Sequence, residues 1–270
     1  MLLKNIFPTS LKWIAVGVLL STSQSLYAKV ITKVIPYSIN NVKMTGYYAY
    51  DDAIKGKRPG VLVVHEWWGH NDYARKRARM LAKLGYSAFA LDMYGTGKVA
   101  KHPDSAKKFM MEVLANMDGA RLRYKKALAV LKVQAATDAE RIAAIGYCFG
   151  GGVVLDMARQ GLPLKGVASF HGSIGTKQPA VKGKIKASVL VLNGADDPFV
   201  SKEQISALKQ EMKKAAVLFE FVNYKGAKHS FTNPAADAFG KKFNMPLQYN
   251  AEADKKSWAK MRAFFKQIFK

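Results

Sequence analysis

Apolar residues in this chain are grouped into short, nearly continuous runs that alternate with longer segments of mixed polarity. Runs such as GVLVVHE (60–66) and RIAAIGY (141–147) are typical of strands whose two faces are both buried. The same pattern predicts further strands at 86–93, 166–172, 187–194 and 217–224, and an opening hairpin or pair of edge strands at 30–35 and 44–50.

Between the strands, the spacing of apolar residues and the terminal residues predict helices. Asn71 and Asp72 are suited to cap a helix that reaches Leu84 and ends at Gly85. Further helices are predicted at about 104–136 (interrupted near 118–119), at 151–160, from 201 onward and at 252–269. Residues 225–250 lack periodicity and are predicted to form a long loop near the functional site.

Strands that alternate with helices predict an α/β fold, in which a mostly parallel sheet is covered by helices on both faces. No internal repeat, low-complexity tract or linker divides residues 29–270. We therefore expect one α/β domain over 29–270.

Residues 1–28 have the pattern of an export signal. Lys4 and Lys12 supply positive charge, 13–20 (WIAVGVLL) form an apolar stretch, and Ala28 ends a plausible cleavage site. The apolar stretch is too short to span a bilayer as a permanent helix, which favours a cleaved signal. An uncleaved membrane anchor is the alternative interpretation. We expect a mature protein that begins near residue 29 and is secreted or periplasmic, with no stable membrane insertion.

The chain is strongly basic, with a formal charge of +24 over 270 residues. Residues 1–28 contain two lysines and no acidic residue, so the remainder carries +22. Such a charge attracts anionic surfaces in general. The lysines are scattered and no nucleic-acid-binding module is recognisable, so we expect solvated helix faces and weak contact with anionic surfaces rather than a nucleic-acid partner.

The only cysteine, Cys148, lies in GYCFGG between a predicted strand and a predicted helix. A single cysteine excludes an intrachain disulfide, so the thiol is either an inert core group or a reactive one. Gly146 and Gly150 flank it at two residues on either side, which is the G-x-S-x-G nucleophile elbow with cysteine in place of serine. Such a turn exposes the nucleophile at the carboxyl end of a strand and at a helix N-terminus, where a thiolate is favoured.

An acid and a histidine follow Cys148 in the order that a catalytic triad on this fold requires. Asp196 and Asp197 come just after one predicted strand, and His229 just after the next. We take Asp197 as the acid, with Asp196 as the alternative, and His229 as the base. The backbone N–H groups of Phe149 and Trp67 are the predicted oxyanion hole.

Five stretches in order resemble the dienelactone hydrolase (carboxymethylenebutenolidase-like) family of α/β-hydrolases: HEWWG, LDMYG, GYCFGG, DDPFV and GAKHSF. The resemblance covers about 42–269 and implies hydrolysis of small esters or lactones through a covalent acyl-enzyme on Cys148. It also implies that Glu66 pairs with Cys148 at rest and is displaced when substrate binds.

The chain departs from that family at the residues that bind the substrate's carboxylate. The family uses two arginines, and Thr96 and Asn233 stand about where they are expected. Lys98 is a candidate substitute, although an ammonium lacks the planar fork of a guanidinium. Dienelactone itself is therefore a doubtful substrate.

Several residues beside these motifs are candidates for the substrate pocket. His171 ends a strand, and its position before the acid favours pocket lining over the role of base. His65, His70 and His102 have no metal-ligand spacing, so no metal is expected, and the predicted chemistry needs no cofactor. The pocket candidates are Trp68, Tyr94, Lys98, His171 and Phe199.

Two other functional classes remain open on the sequence alone. One is a non-catalytic ligand-binding or envelope-binding protein on the same fold, and the other is a redox-sensing thiol. The order of Cys148, Asp197 and His229 favours a hydrolase, because neither alternative requires the two partners.

Overall fold

The structure is a computed structural model that describes residues 29–270, so the predicted export signal lies outside the described residues. Eight strands form one sheet in the order β1-β2-β4-β3-β5-β6-β7-β8. The strands are β1 (Val30–Ile39), β2 (Val42–Asp51), β3 (Arg58–Val64), β4 (Ser87–Leu91), β5 (Thr137–Tyr147), β6 (Gly166–Phe170), β7 (Ser188–Gly194) and β8 (Phe219–Tyr224).

Six of these strands, β3 to β8, run parallel, and β1 and β2 add an antiparallel hairpin at the β4 edge. Each connection between consecutive parallel strands crosses one face of the sheet, and all of these connections except the one from β6 to β7 contain a helix.

Seven helices occur among the described residues. They are α1 (Asp72–Lys83), α2 (Pro103–Leu114), α3 (Met117–Lys132), α4 (Phe149–Arg159), α5 (Lys202–Lys214), α6 (Ala236–Phe243) and α7 (Ala251–Ile268). As predicted, Asn71 caps α1 and Gly85 follows its end with a positive φ.

The central strands bury side chains on both faces because successive residues point in opposite directions. Leu62 and Val64 of β3 pack in one core with α3, α4 and α5. Val61 and Val63 pack in the other core, with α1 and α7. The predicted α/β architecture, with a mostly parallel sheet and helices on both faces, is confirmed.

Three predicted boundaries are corrected. The break in the 104–136 helix lies at Ala115 and Asn116, because the Asn116 side chain accepts the N–H of Gly119 (2.8 Å) and begins α3 there. The 225–250 segment is not wholly a loop, since it contains α6. Helix α4 begins at Phe149 rather than at residue 151.

The parallel strands all end at one edge of the sheet. Glu66 follows β3, Cys148 follows β5, Asp197 follows β7 and His229 follows β8, each by one to five residues. The topology therefore collects four chemically reactive side chains at the edge where ligand sites form in α/β proteins.

Candidate active site

Cys148 occupies the tight turn between β5 and α4. Its backbone has φ 53° and ψ −117°, a conformation that costs free energy in a non-glycine residue. Its N–H donates to the carbonyl of Phe170 (3.0 Å), and its own carbonyl accepts from the N–H of Gly151 (3.0 Å). These bonds hold a half-buried thiol at the first turn of α4.

Two glycines make this turn sterically feasible. A Cβ atom at Gly146 would lie 2.0 Å from the carbonyl oxygen of Gly150, and one at Gly150 would lie 2.4 Å from that of Val64. These neighbours are backbone atoms, which cannot swing aside as a flexible side chain does. The geometry thus accounts for glycine on both sides of Cys148.

Asp197 and His229 form a buried hydrogen-bonded pair. His229 Nδ1 lies 2.7 Å from Asp197 Oδ2, and the Asp197 side chain is fully buried. The other carboxyl oxygen of Asp197 accepts the backbone N–H of Phe199 (2.9 Å). Asp196, by contrast, is exposed to solvent. Of the two candidate acids, Asp197 is therefore the one that contacts the histidine.

The surroundings of His229 favour its protonated form. Burial alone would lower its pKa, but the charge of Cys148 and the hydrogen bonds with Asp197 and Cys148 outweigh burial and raise the pKa to about 10. At neutral pH this arrangement favours the imidazolium form of His229.

The carboxyl of Glu66 is bound to Asn233. Glu66 is almost completely buried, and its Oε2 accepts a hydrogen bond from Asn233 Nδ2 (2.6 Å). Its Oε1 has no hydrogen-bond partner among the described residues. Burial raises the pKa of Glu66, although the hydrogen bond from Asn233 opposes this. The pairing of Glu66 with Cys148 is thus corrected: the amide of Asn233 binds the carboxyl, and the thiol faces His229.

Trp67 and Phe149, the predicted sources of the oxyanion hole, both lie at the cavity beside Cys148. Phe149 is the first residue of α4, where backbone N–H groups have no partner within the helix, and no side chain caps this end. The hydroxyl of Tyr94 donates to the carbonyl of Trp67 (3.1 Å), which fixes the peptide that follows Trp67.

Cys148 and His229 open onto a cavity of about 570 Å³. Its wall is largely apolar near the thiol and carries charged and amide side chains farther away. The lining residues include Trp67, Met110, Leu114, Met117, Arg121, Phe149, Gly152, Val153, Asp156, Arg159, Lys177, Gln178, Phe199, Val200, Met245 and Leu247.

Of the five predicted pocket residues, Phe199 lies on the cavity wall. Trp68 and Tyr94 do not, and for them the prediction is corrected. Trp68 is buried against α6, with its ring 4.5 Å from that of Phe239. Tyr94 is buried one layer behind the wall, 5.5 Å from the ring of Phe149.

Lys98 and His171 also lie away from the wall, for different reasons. Lys98 is at the surface, where its ammonium pairs with Glu112 (3.0 Å). His171 is wholly buried, and its Nε2 is bonded to the hydroxyl of Thr232 (2.7 Å). Burial lowers the pKa of His171, and the positive charges of His229 and Arg77 lower it further. A buried neutral imidazole is a structural group.

A buried polar network that the sequence did not predict supports the turn after His229. Arg77 Nη2 donates to the carbonyl of Thr232 (2.6 Å) and to Asp254 Oδ1 (2.7 Å), and Arg77 Nε donates to the hydroxyl of Tyr73 (3.2 Å). The Tyr73 hydroxyl is bonded in turn to that of Thr232 (2.6 Å). One buried guanidinium therefore ties α1, α7 and the 229–233 turn together.

Little in the sequence distinguishes the helical residues of the cavity wall. Met110, Leu114 and Met117 follow the spacing of ordinary core residues on α2 and α3. Arg77 looks like one of several arginines on a basic helix. Only the packing of distant segments distinguishes the three cavity residues and Arg77 from ordinary core and surface residues.

Residues 29–270 contain no group of three or more His, Cys, Asp or Glu side chains arranged to hold a metal ion. Over the same range, none of the helices combines the length and apolar character needed to cross a bilayer.

Comparisons with known proteins identify relatives along most of the chain. The model of the dienelactone hydrolase family matches residues 44–269. Protein usf of Aquifex pyrophilus is 29% identical over 212 residues, which cover 74% of this chain and 87% of that protein.

Two solved structures resemble the fold along nearly their whole length. The first is a dienelactone hydrolase-like promiscuous phosphotriesterase, P91, from metagenomic libraries; it is 34% identical with a TM-score of 0.81, and covers 90% of this chain and 99% of its own. The second, m3DLH, is 37% identical with a TM-score of 0.82, and covers 88% of this chain and 98% of its own.

Proposed function

Because this chain belongs to the dienelactone hydrolase family of α/β-hydrolases, we propose that it hydrolyses carboxylic esters or lactones with Cys148 as nucleophile, His229 as base and Asp197 as the residue that orients His229. The observation that carries the proposal is the 2.7 Å bond between His229 Nδ1 and Asp197 Oδ2, beside a cysteine in an elbow turn. With Nδ1 occupied by Asp197, Nε2 is the ring nitrogen left to exchange a proton with sulfur.

In the first step, the Cys148 thiolate attacks the carbonyl carbon and forms a C–S bond. The carbonyl electrons move to oxygen, and the oxyanion accepts hydrogen bonds from the N–H groups of Phe149 and Trp67. The oxyanion then collapses, the C–O bond to the leaving group breaks, and the imidazolium of His229 gives its proton to the departing alkoxide.

In the second step, water hydrolyses the thioester. Neutral His229 accepts a proton from water as the water oxygen attacks the acyl carbon, and the C–S bond breaks to release the acid. The thiolate and the imidazolium are restored. The cycle consumes one ester and one water, or converts a lactone to its hydroxy acid, and needs no other reactant.

Glu66 has a positioning role in this proposal. Burial raises its pKa, which lessens the negative charge that it places near Cys148. Through Asn233, Glu66 also holds the turn that carries His229.

The residues at the family's arginine positions favour neutral substrates over carboxylates. Asn233 is uncharged and already bonded to Glu66. Thr96 is exposed and bonded to Thr45, and Lys98 is paired with Glu112 at the surface. No cation therefore comes from these positions to hold a carboxylate next to Cys148.

A second activity, on phosphotriesters, has one observation in its favour. The P91 protein, described as a promiscuous phosphotriesterase, is 34% identical over 90% of this chain. A nucleophile that attacks a carbonyl carbon can also attack the electrophilic phosphorus of a phosphotriester.

Location is a separate proposal. The basic start, short apolar stretch and small residue at position 28 support export of residues 29–270 as a secreted or periplasmic protein. Cell fractionation and N-terminal sequencing of the protein from its native host test this. A new N-terminus near residue 29 is expected, and an intact Met1 in the cytoplasm would contradict it.

The hydrolase proposal is tested with purified residues 29–270 and its Cys148→Ala variant, assayed on aryl esters, lactones including dienelactone, and a neutral phosphotriester. We expect ester turnover that falls by about 10³-fold or more without the thiol. Turnover that survives in the variant would remove Cys148 as nucleophile. Rapid oxidation of the thiol by peroxide without ester turnover would favour the redox-sensing alternative.

A further inference from the structure

The cavity follows one face of α4 away from the reactive thiol. Cys148, Gly152, Val153, Asp156 and Arg159 all line it, and they recur at the three-to-four-residue spacing of one helix face. At a rise of 1.5 Å per residue, the eleven steps from Cys148 to Arg159 correspond to about 16 Å along the helix axis. The space is therefore elongated and is much longer than a small lactone needs.

The part of the cavity nearest the thiol is apolar. Trp67, Phe149 and Phe199 lie beside Cys148, and Leu114 and Val153 come farther along. The wall also contains three methionines, whose unbranched side chains adapt to flexible apolar ligands. These are Met110, Met117 and Met245.

Farther along α4 the cavity wall carries two arginines that are already paired with acidic side chains, together with the exposed Lys177. Arg121 makes two bonds to Asp156 (3.0 Å each) and a third to Gln178 (2.7 Å). Arg159 makes two bonds to Glu211 (2.8 and 2.9 Å). Paired guanidinium groups offer little to a substrate carboxylate, whereas such a polar end tolerates a neutral group or solvent.

From this geometry we propose that the cavity binds a long, uncharged hydrocarbon chain of the ester, on either side of the ester bond, extended along α4 from Cys148 towards Arg121 and Asp156. This rests on the proposed ester hydrolysis and names its substrate class as esters of medium-length chains rather than small carboxylated lactones. Each buried methylene contributes roughly fourfold to binding.

Two homologous series of esters show whether the hydrocarbon chain that binds in the cavity belongs to the acyl group or to the alcohol of the ester. One varies the acyl group of p-nitrophenyl esters from acetate to dodecanoate, and the other varies the alcohol of acetate esters, all below the concentrations at which they form micelles. We expect kcat/KM to rise by about tenfold or more from the shortest to a medium-length member of one series. If kcat/KM is flat or falls in both series while short esters are hydrolysed, the chain-binding proposal is overturned and the hydrolase proposal stands.

Two neighbouring residues of α2 provide a matched pair of variants. Leu114 lines the cavity, whereas Met111, about equally exposed at 50% against 43%, is not among the lining residues. Leu114→Trp places bulk in the cavity, and we expect the ratio of long-chain to acetate kcat/KM to fall by about tenfold. Met111→Trp is expected to leave that ratio unchanged. Equal effects of the two variants would contradict the proposal.

A binding measurement tests the cavity without turnover. The Cys148→Ala protein is titrated with 2-undecanone and with 2-butanone, and binding is followed by isothermal titration calorimetry. We expect the long ketone to bind at least about tenfold more tightly, and Leu114→Trp to weaken it. Binding without hydrolysis of any ester would support the cavity proposal and contradict the hydrolase proposal. Equal affinity for the two ketones would overturn the cavity proposal.

Discussion

The carboxyl of Glu66 and the amide of Asn233 lie 2.6 Å apart in the interior, at the edge of the sheet where Cys148 also lies. Related enzymes of this family are expected to have an arginine at the position of Asn233 and a glutamate that meets the cysteine. Here a neutral amide replaces the cation. The carboxyl is left in a site where burial favours its protonated form.

The protonation of Glu66 makes stability depend on pH. Its pKa is raised above the ordinary value of 4.5 in the folded state, so the folded state holds the proton more tightly than the unfolded state does. The contribution of Glu66 to stability is thus complete below about pH 4.5 and is lost as pH rises through its folded pKa. Glu66→Gln removes the titration and keeps the size of the side chain.

We therefore expect the free energy of unfolding of wild type, relative to Glu66→Gln, to fall as pH rises from about 4.5 towards neutrality. Urea unfolding of both proteins over this range measures the difference. A difference that is independent of pH would show that Glu66 has the same pKa in both states, contrary to this account.

Asn233→Ala removes the only hydrogen bond recorded for Glu66 Oε2. A buried polar atom without a partner costs about 1–3 kcal/mol, so we expect the free energy of unfolding to fall by that amount. Asn233→Asp, which is similar in shape, is expected to be worse at neutral pH because it places a second acid against Glu66. Equal free energies of unfolding for Asn233→Ala and wild type would contradict a stabilising hydrogen bond between Asn233 and Glu66.

Asp197 and Asp196 provide an adjacent pair for testing the base. Asp197 is buried against His229, whereas Asp196 is exposed. Asp197→Asn loses the charge that stabilises the imidazolium, and we expect kcat/KM to fall by about 10³–10⁴-fold, as for the equivalent change in serine hydrolases. Asp196→Asn is expected to change it by less than about threefold. Similar losses in both variants would contradict the assignment of Asp197.

The elbow glycines should tolerate no side chain. Gly146→Ala places a Cβ 2.0 Å from a backbone oxygen, whereas at Gly152 the nearest atom, the Ser173 carbonyl oxygen, is 3.1 Å away. We expect Gly146→Ala to destabilise the protein by more than about 4 kcal/mol, and Gly152→Ala to change its stability by no more than about 1 kcal/mol in either direction. Thermal unfolding of the two variants checks this order. The reverse order would contradict the elbow geometry.

Arg77 is expected to matter more than its place on a basic helix indicates. It is buried, and its bonds to Thr232 and Asp254 hold the turn after His229. Arg77→Met leaves Asp254 and the Thr232 carbonyl without their donor, and we expect a loss of about 3–5 kcal/mol in the free energy of unfolding. The same change at the partly exposed Arg79, two residues away, is expected to cost about 1 kcal/mol or less. Denaturant titration compares the two variants.

The sequence predicted the strands and most helix ends because these depend on local patterns. Six apolar runs are parallel strands in the structure. Helix α1 begins after Asn71, whose side chain caps it, and ends before Gly85, which has a positive φ. Helix α6 was missed because α6 contains Gly240 and is only eight residues long, so its helical pattern is weak.

Within the site, the residues that could be predicted from the sequence are those that have a fixed place after a strand. Cys148, Asp197 and His229 all follow strand ends, so topology alone brings them together. The partners of Glu66 and the residues along the cavity depend on how distant segments pack. Trp68 was wrongly expected at the pocket because adjacent aromatic residues give no sign of which ring faces α6.

The central claim is that an ester is hydrolysed through a covalent thioester on Cys148. Mixing residues 29–270 with an aryl ester, quenching in acid and measuring the intact mass and the peptide masses tests it most directly. We predict that one acyl group is added to the peptide that contains Cys148, and that it disappears once substrate is exhausted. An acyl group on another residue, or steady turnover by Cys148→Ala without any adduct, would contradict the account.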